Sequence, residues 1–422
     1  MSEKIRFFLK KHFPWLVAIR RNFFESIHAF YLNKVTKKQA KETNNIKVVY
    51  ICQCQHIWDK MRPIVLDMLT RKNFSVFLLI IPEFEIGKKD AYNSVFVEHE
   101  TQNAIIVFYK KGIKNQLKAI KPDYVFYSRP YDNYLPKKFR INHVHKYAKT
   151  LLLSYACNLM DLKSVPVAFP FFKYLYMYFA DDKSSQNQFT SLHLSPKTHF
   201  GFNVGYPYFE EILNGKADKG ESAFRKFKKG PIKVIWTPRW TTESHLGGSN
   251  LLTYMDSMFD YFINNPKYIF IFRPHPYAFP NFIEKGLISK EQFELIKKRF
   301  LQSSNSLFDS SRLYLDTLFD ADIMITDISS IIAEFFYTGK PIVFCHNTPP
   351  ETISSEMKLI LSCDYNAYSF KDIVLEVEKL SKNLDEYKIK RKQISSNFFV
   401  NSKGSTKRIN DIIENDYRKK AK

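Results

Sequence analysis

The chain has no run approaching the roughly 18 apolar residues that a bilayer-spanning helix needs. Its start also lacks the small-residue cleavage site behind a long apolar core that marks a secretory signal. Cysteine is scarce: five in 422 residues, at positions 52, 54, 157, 345 and 363. Most of these sit in apolar runs, which excludes a disulfide scaffold and fits buried free thiols in a reducing compartment. Cys52 and Cys54 stand two apart, with no second pair at ligand spacing, and that argues against a metal site there. Internal repeats, low-complexity linkers and the sequence-recognisable nucleic-acid modules are all missing, so nucleic acid is not the expected partner. These absences predict a protein of the cytosol or of a membrane surface.

Acidic residues are the minority, 42 Asp and Glu against 64 Lys and Arg, for a net charge of +22. Such a balance calls for an anionic partner, either an acidic membrane surface or a phosphate-rich substrate. Hydrophobic residues make up 45% of the chain and aromatics 16%. That is enough for real cores, and the length suits two domains of ordinary size.

Residues 1–44 differ from the rest, with ten basic against three acidic residues. Phe7, Phe8, Phe13, Trp15 and Phe24 are interleaved with them, and Leu16, Ile19, Phe23 and Ile27 recur at helical spacing. Pro14 is expected to kink or restart this helix. A basic amphipathic arm of this kind suits an anionic bilayer face. Packing against the protein's own body is the competing reading.

From Lys47 the chain alternates strands and helices. Strands are expected at 47–54, 75–81, 104–108, 123–127 and 151–154, with a helix over 112–120, which reads as a doubly wound parallel sheet. Two polar loops fall at its ligand-binding carboxyl edge, Gln55 to Arg62 and Ser128 to Tyr134. Phe169 to Phe179 is aromatic throughout and reads as a helix lining a groove. A second domain opens near Val204-Gly-Tyr-Pro207. Its strands are expected at 231–237, 267–272, 313–315, 323–326 and 342–345, followed by helix from about 372 to 397. The domain organisation is then arm 1–44, N-terminal acceptor-side domain 45–203, C-terminal nucleotide-donor domain 204–400 and a basic, fraying tail 401–422.

Three loops of the second domain follow strands at once. They carry Thr237 and Arg239, Arg273 and His275, and Asp327, Ser329 and Ser330. Ser329 or Ser330 can cap the helix that follows. Two guanidiniums, an imidazole, two hydroxyls and a helix start form a set suited to a pyrophosphate. Glu334, one to two turns further on, can accept hydrogen bonds from two ribose hydroxyls. Two α/β domains with such a site describe a transferase with a cleft between Rossmann-like halves.

At these residues the sequence resembles the CDP-glycerol glycerophosphotransferases, the teichoic-acid polymerase-like enzymes of bacterial walls and capsules. The resemblance rests on Asp320-Ala-Asp-Ile-Met-Ile-Thr-Asp327-Ile-Ser-Ser330 with Glu334 and Gly339-Lys-Pro-Ile-Val-Phe344. Trp236-Thr-Pro-Arg239-Trp-Thr241 and Phe272-Arg-Pro-His275-Pro276 match further blocks in order, as does Gly205-Tyr-Pro207. It is good over about 200–395 and weaker over 45–200. It implies a GT-B fold and transfer of a polyol phosphate from CDP-glycerol or CDP-ribitol. It also implies a polymer or lipid-linked acceptor, and a peripheral place on the cytoplasmic face of the bacterial inner membrane. Carried over by match, Arg273, His275, Asp327, Ser329, Ser330 and Glu334 are donor-site residues. The family's Trp-His-Gly-type motif is absent, since Leu152-Leu-Ser-Tyr155-Ala-Cys-Asn158 stands in its place without a histidine.

The expected chemistry is direct attack of an acceptor hydroxyl on the β-phosphorus, with CMP leaving. Arg273, Arg239 and the Ser329/Ser330 helix start would offset charge. His275 would donate to the leaving phosphate or orient it. For the base, His56 is the first choice, with Asp59 and Asp132 as rivals. Arg129, Tyr131, Asp132 and Asn133 are candidate acceptor-binding residues, although a turn at Pro130 explains them too. No carboxylate pair demands a metal, no cofactor is required, and a loosely bound Mg2+ is compatible. A GT-B glycosyltransferase using a nucleotide sugar is the alternative reading.

Overall fold

The computed structural model describes residues 14–39, 45–53, 55–81, 103–110, 115–133, 135–157, 159–161, 168–217, 220–228, 230–243, 248–347 and 352–419. They form two compact units, each on its own sheet. The first unit takes the described residues of Met1–Ala156, Val165–Glu211 and Asn401–Lys422, and the second takes those of Cys157–Ser164 and Ile212–Val400.

The first sheet has seven strands: β1 (Ile46–Cys52), β2 (Phe74–Ile80), β3 (Ile105–Phe108), β4 (Tyr124–Tyr127), β5 (Lys149–Leu153), β6 (Met177–Ala180) and β7 (Phe200–Asn203). Their spatial order is β3-β2-β1-β4-β5-β6-β7, and every pairing is parallel. β1 is a near-continuous apolar run in which only Lys47 is not fully buried. That pattern belongs to a strand covered on both faces. Tyr50 of β1 lies opposite Phe126 of β4, and their rings stack at 4.6 Å.

The second sheet has six strands: β8 (Ile232–Thr237), β9 (Tyr268–Phe272), β10 (Ser306–Phe308), β11 (Ile323–Thr326), β12 (Ile342–Cys345) and β13 (Tyr365–Ala367). The order is β10-β9-β8-β11-β12-β13, again parallel. In both sheets the order reverses beside the first strand, between β1 and β4 and between β8 and β11. Open α/β sheets bind ligands at the carboxyl side of such a reversal.

Several expectations need correction. Gln55 to Arg62 is not a loop, because a helix runs from Gln55 to Leu69 straight after β1. The aromatic stretch expected as one helix gives a short helix Ala168–Phe172 and then strand β6, since Met177–Ala180 is buried in the sheet. Leu313 to Leu315 is not a strand. The third strand is the shorter Ser306–Phe308, and a helix starts at Leu315. The expected 372–397 helix is two, Phe370–Ser381 and Lys388–Phe398.

The terminal segments also differ from expectation. The tail forms the helix Ser405–Arg418, whose Ile409, Ile413 and Tyr417 repeat every fourth residue and enter the first unit's core. Asp416 fixes it there, accepting hydrogen bonds from Lys149 Nζ at 2.7 Å and from the Tyr124 and Tyr176 hydroxyls at 2.6 Å. Gly205, at φ +78°, lies under this crossing, where an added Cβ would stand 2.2 Å from the Asn401 carbonyl oxygen. Only glycine tolerates both conditions. At the other end the helix Pro14–Gln39 begins at its proline, a position that needs no N–H donor. His28, Val35 and Gln39 are buried, while Ile19, Phe23 and Phe30 are exposed. The helix therefore packs on its own unit through one face and presents apolar side chains on another.

Candidate active site

The carboxyl ends of β8, β9 and β11 carry the residues singled out in the second unit. Asp327 follows β11 and points inward, 1% exposed. Its Oδ2 accepts from the backbone N–H groups of Arg239 and Asn250, both at 3.1 Å, and from Ser249 Oγ at 3.2 Å. Its Oδ1 accepts from Asn250 Nδ2 at 3.0 Å. Burial pushes this carboxyl above the usual carboxylate range, and the four hydrogen bonds oppose the shift. One carboxylate thus ties the loop after β8 and the segment before the next helix to the end of β11. Thr237 does related work: its hydroxyl donates to Thr326 Oγ1 at 2.8 Å, joining the same two strands.

Arg239 turns its guanidinium towards the following turn, where Nη1 donates to the Ile328 carbonyl at 2.6 Å. Arg273 is held firmly. Nη1 donates to Asp309 Oδ2 at 2.5 Å, Nη2 donates to the Ser311 carbonyl at 2.8 Å, and the guanidinium carbon lies 4.6 Å from the Tyr314 ring centre. His275 accepts a hydrogen bond at Nδ1 from the Tyr277 backbone N–H at 3.1 Å. A neutral ring bonded in this way carries its proton on Nε2, so that nitrogen is the donor.

Ser330 occupies the cap position of the helix Ile331–Phe336 but makes no side-chain capping bond, contrary to the expected capping role. Ser329 and Ser330 are both half-buried beside Asp327. Glu334 lies inside that helix, 4% exposed, and its Oε2 accepts from the Tyr314 hydroxyl at 2.7 Å.

Ser249, Asn250, Asp309, Ser311 and Tyr314 escaped the sequence reading. Asp309 and Ser311 directly follow β10, and recognition of Ser306–Phe308 as a strand would have placed them at the same edge. Asn250 and Ser249 carry no comparable signal, since they stand at the far end of the connection from β8, just before the helix Leu251–Phe262.

In the first unit the predicted residues do different work. Asp132 Oδ2 accepts from the Ile141 backbone N–H at 2.5 Å, at the start of the helix Ile141–Val144, and burial raises its carboxyl pKa. The Asn133 carbonyl accepts from Arg140 Nη2 at 2.9 Å. Both contacts build the turn. Arg129 is buried at the end of β4 and faces the Tyr155 ring at 5.6 Å, while Tyr131 is half-buried. Asp59 is half-buried on the helix Gln55–Leu69. His56 lies in the first turn of that helix, and its side chain is outside the described residues. Gln53, just beyond β1, is buried, and its Nε2 has no hydrogen-bond partner. Among the described residues no group of three His, Cys, Asp or Glu side chains is arranged to hold a metal ion, and no helix is long and apolar enough to cross a membrane.

Two parallel α/β sheets, with polar side chains gathered at the carboxyl edge of the second, make a fold of the GT-B type. The family model of the CDP-glycerol:poly(glycerophosphate) glycerophosphotransferases matches residues 176–415, more than half of the chain, and the chain belongs to that family. It is an enzyme of the CDP-glycerol glycerophosphotransferase type. No curated relative matches by sequence.

Among solved structures, the wall teichoic acid polymerase TagF is similar at TM-score 0.57 and 14% identity, over 99% of each chain. A protein assigned as a UDP-N-acetylglucosamine 2-epimerase from Listeria monocytogenes is similar at TM-score 0.62 and 13% identity, over 89% of this chain and 97% of that one. The UDP-GlcNAc 2-epimerase of Neisseria meningitidis, solved with UDP-GlcNAc, gives TM-score 0.58 and 13% identity, over 87% and 99%. At these identities the likeness is one of fold.

Proposed function

We propose that the enzyme transfers glycerol phosphate from CDP-glycerol to a hydroxyl of a growing cell-wall or capsule polymer and releases CMP. The observation that carries this reading is the family match together with the polar residues it spans. Arg273, His275, Ser329, Ser330 and Glu334 all stand at or near the carboxyl edge of the second sheet. In the proposed step the acceptor oxygen bonds to the β-phosphorus as the bond to the CMP oxygen breaks. The acceptor proton passes to a base, for which His56 is the candidate. Asp132 is the weaker rival because its carboxylate serves the Ile141 backbone. Asp59 is the other.

Arg273 offsets charge on the diphosphate from a fixed position, since Asp309 and Ser311 already order its guanidinium. Charge-assisted contacts prepared in this way cost little reorganisation in the transition state. His275 donates from Nε2 to a phosphate oxygen, and Glu334 accepts from the ribose. Asp327 acts through the loops that it holds. On the acceptor side Arg129 is the residue suited to an anionic polymer, with Tyr131 and Asn133 beside it in sequence. The helix Pro14–Gln39 lies on an anionic membrane face through exposed Ile19, Phe23 and Phe30, with basic residues alongside.

Purified protein would be incubated with CDP-glycerol, CDP-ribitol and a panel of nucleotide sugars, together with an acceptor extract from a capsulated bacterium. Released nucleotide is then resolved by chromatography. CMP release that vanishes in His275→Ala supports the reading and names the donor. UDP or GDP release instead replaces it with glycosyl transfer.

A further inference from the structure

The proposed cation and the proposed ribose-binding carboxylate do not touch each other. Arg273 follows β9 and Glu334 sits in the helix after β11, and β8 lies between those strands. One side chain reaches both. The Tyr314 hydroxyl donates to Glu334 Oε2 at 2.7 Å, and the face of its ring lies 4.6 Å from the Arg273 guanidinium carbon. The same guanidinium donates from Nη1 to Asp309 Oδ2 at 2.5 Å and to Ser311 Oγ at 3.2 Å.

The segment carrying Tyr314 is itself constrained. Gly220 packs on Leu313 so closely that an added Cβ would stand 2.6 Å from the Leu313 Cβ, and its φ of +74° suits glycine. Tyr314 then caps the helix Leu315–Asp320, and its carbonyl accepts from the Leu318 N–H at 2.9 Å. A carboxylate as buried as Glu334 needs a donor, and a guanidinium over an aromatic face is attracted by the ring quadrupole. Both requirements fall on the same phenol.

We propose that Tyr314 is a positioning residue for the donor. Its hydroxyl orients Glu334, its ring orients Arg273, and together they set the spacing at which the enzyme grips a nucleoside diphosphate between ribose and diphosphate. The inference rests on the donor reading given above. Tyr314 itself contacts no reacting atom in this scheme, so its loss falls on donor KM more than on kcat.

The test is a steady-state double-mutant cycle with CDP-glycerol. Tyr314→Phe keeps the ring over Arg273 and removes only the hydroxyl, so donor KM should rise about tenfold, the scale of one hydrogen bond to a charged group. Tyr314→Leu removes the ring as well and should raise KM further. In a Glu334→Ala background Tyr314→Phe should add nothing, because the partner of the hydroxyl is already gone. Effects that multiply across the cycle, or an unchanged KM in Tyr314→Phe with wild-type turnover, would overturn the positioning role while leaving the donor reading intact. If the wild-type enzyme turns over a nucleotide sugar and never CDP-glycerol, the donor reading fails and this inference with it.

Discussion

The carboxyl edges of the two sheets share a reversal of strand order beside their first strand and differ in how their polar groups are used. On the second sheet the carboxylates of Asp327, Asp309 and Glu334 hold other site residues: the Arg239 loop, the Arg273 guanidinium and the Tyr314 phenol. Polar groups there support polar groups. On the first sheet the polar residues after β4 mostly build their own turn, with Asp132 serving Ile141 and Asn133 serving Arg140. The difference teaches that a polar loop at a ligand-binding edge is not yet a binding site. What distinguishes the second edge is that its charged groups are fixed before any ligand arrives.

The largest expected effect breaks that comparison at its chemical end. His275→Ala should lower CMP release from CDP-glycerol by about 100-fold or more, the usual worth of a positioned acid or base. Its thermal midpoint should move little, since the ring is only half-buried. A rate within a few-fold of wild type would remove the second edge's claim to the chemistry.

Next comes Asp327→Asn, which keeps shape but turns one acceptor oxygen into a donor facing Asn250 and Ser249. Leaving buried donors unmatched costs about 1–3 kcal/mol for each group, so a loss of roughly 3 kcal/mol is expected. Chemical denaturation, followed through the fluorescence of buried Trp236, would measure it. A near-neutral result would mean that the edge is less tightly built than its hydrogen bonds imply.

A third test moves away from both edges, to where the first helix packs. His28 lies between His145 and His199, with ring centres 5.2 and 4.9 Å away, and Tyr31 of the same helix meets His145 edge-on at 5.5 Å. Burial pushes His28 and His145 down to about 3 and lowers His199 as well. Their folded pKa values lie below the unfolded one, so the unfolded chain binds protons more tightly. The stability held by neutral rings is therefore complete above about pH 6.5 and drains as pH falls towards 3, with a slope of about 1.4 kcal/mol per pH unit for each histidine. Protection factors over Pro14–Gln39, taken against the intrinsic exchange rate at each pH, should fall between pH 6.5 and 5, and His28→Phe should blunt the change. Uniform protection across that range would show that the cluster does not hold the helix.

Much of this fold was legible because apolar runs such as Val48–Cys52, Ile323–Thr326 and Ile342–Cys345 belong to strands covered on both faces. The edge strands β10 and β13 have three residues each, too few to stand out from their surroundings. β6 was hidden in an aromatic run whose composition does not tell helix from strand. The tail helix was misread from its charge, although Ile409, Ile413 and Tyr417 already carried a four-residue period. The place of Arg239, Arg273 and His275 at one sheet edge could be read because each closely follows an apolar strand. The place of Tyr314 could not, since it meets residues 41 positions upstream and 20 downstream, a relation that only the packing creates.

The smallest effect sharpens the first edge. Asp132→Ala removes the acceptor for the Ile141 N–H and should cost about 1 kcal/mol, as loss of a helix cap does. Arg129→Gln, three positions upstream, should instead raise the acceptor KM several-fold, because it removes a buried cation while keeping polar bulk. The pair separates scaffold from recognition within five residues of chain. If Asp132→Ala changed acceptor KM and Arg129→Gln changed only stability, the assignments would exchange. The first edge would then resemble the second, with a carboxylate rather than a guanidinium at its centre.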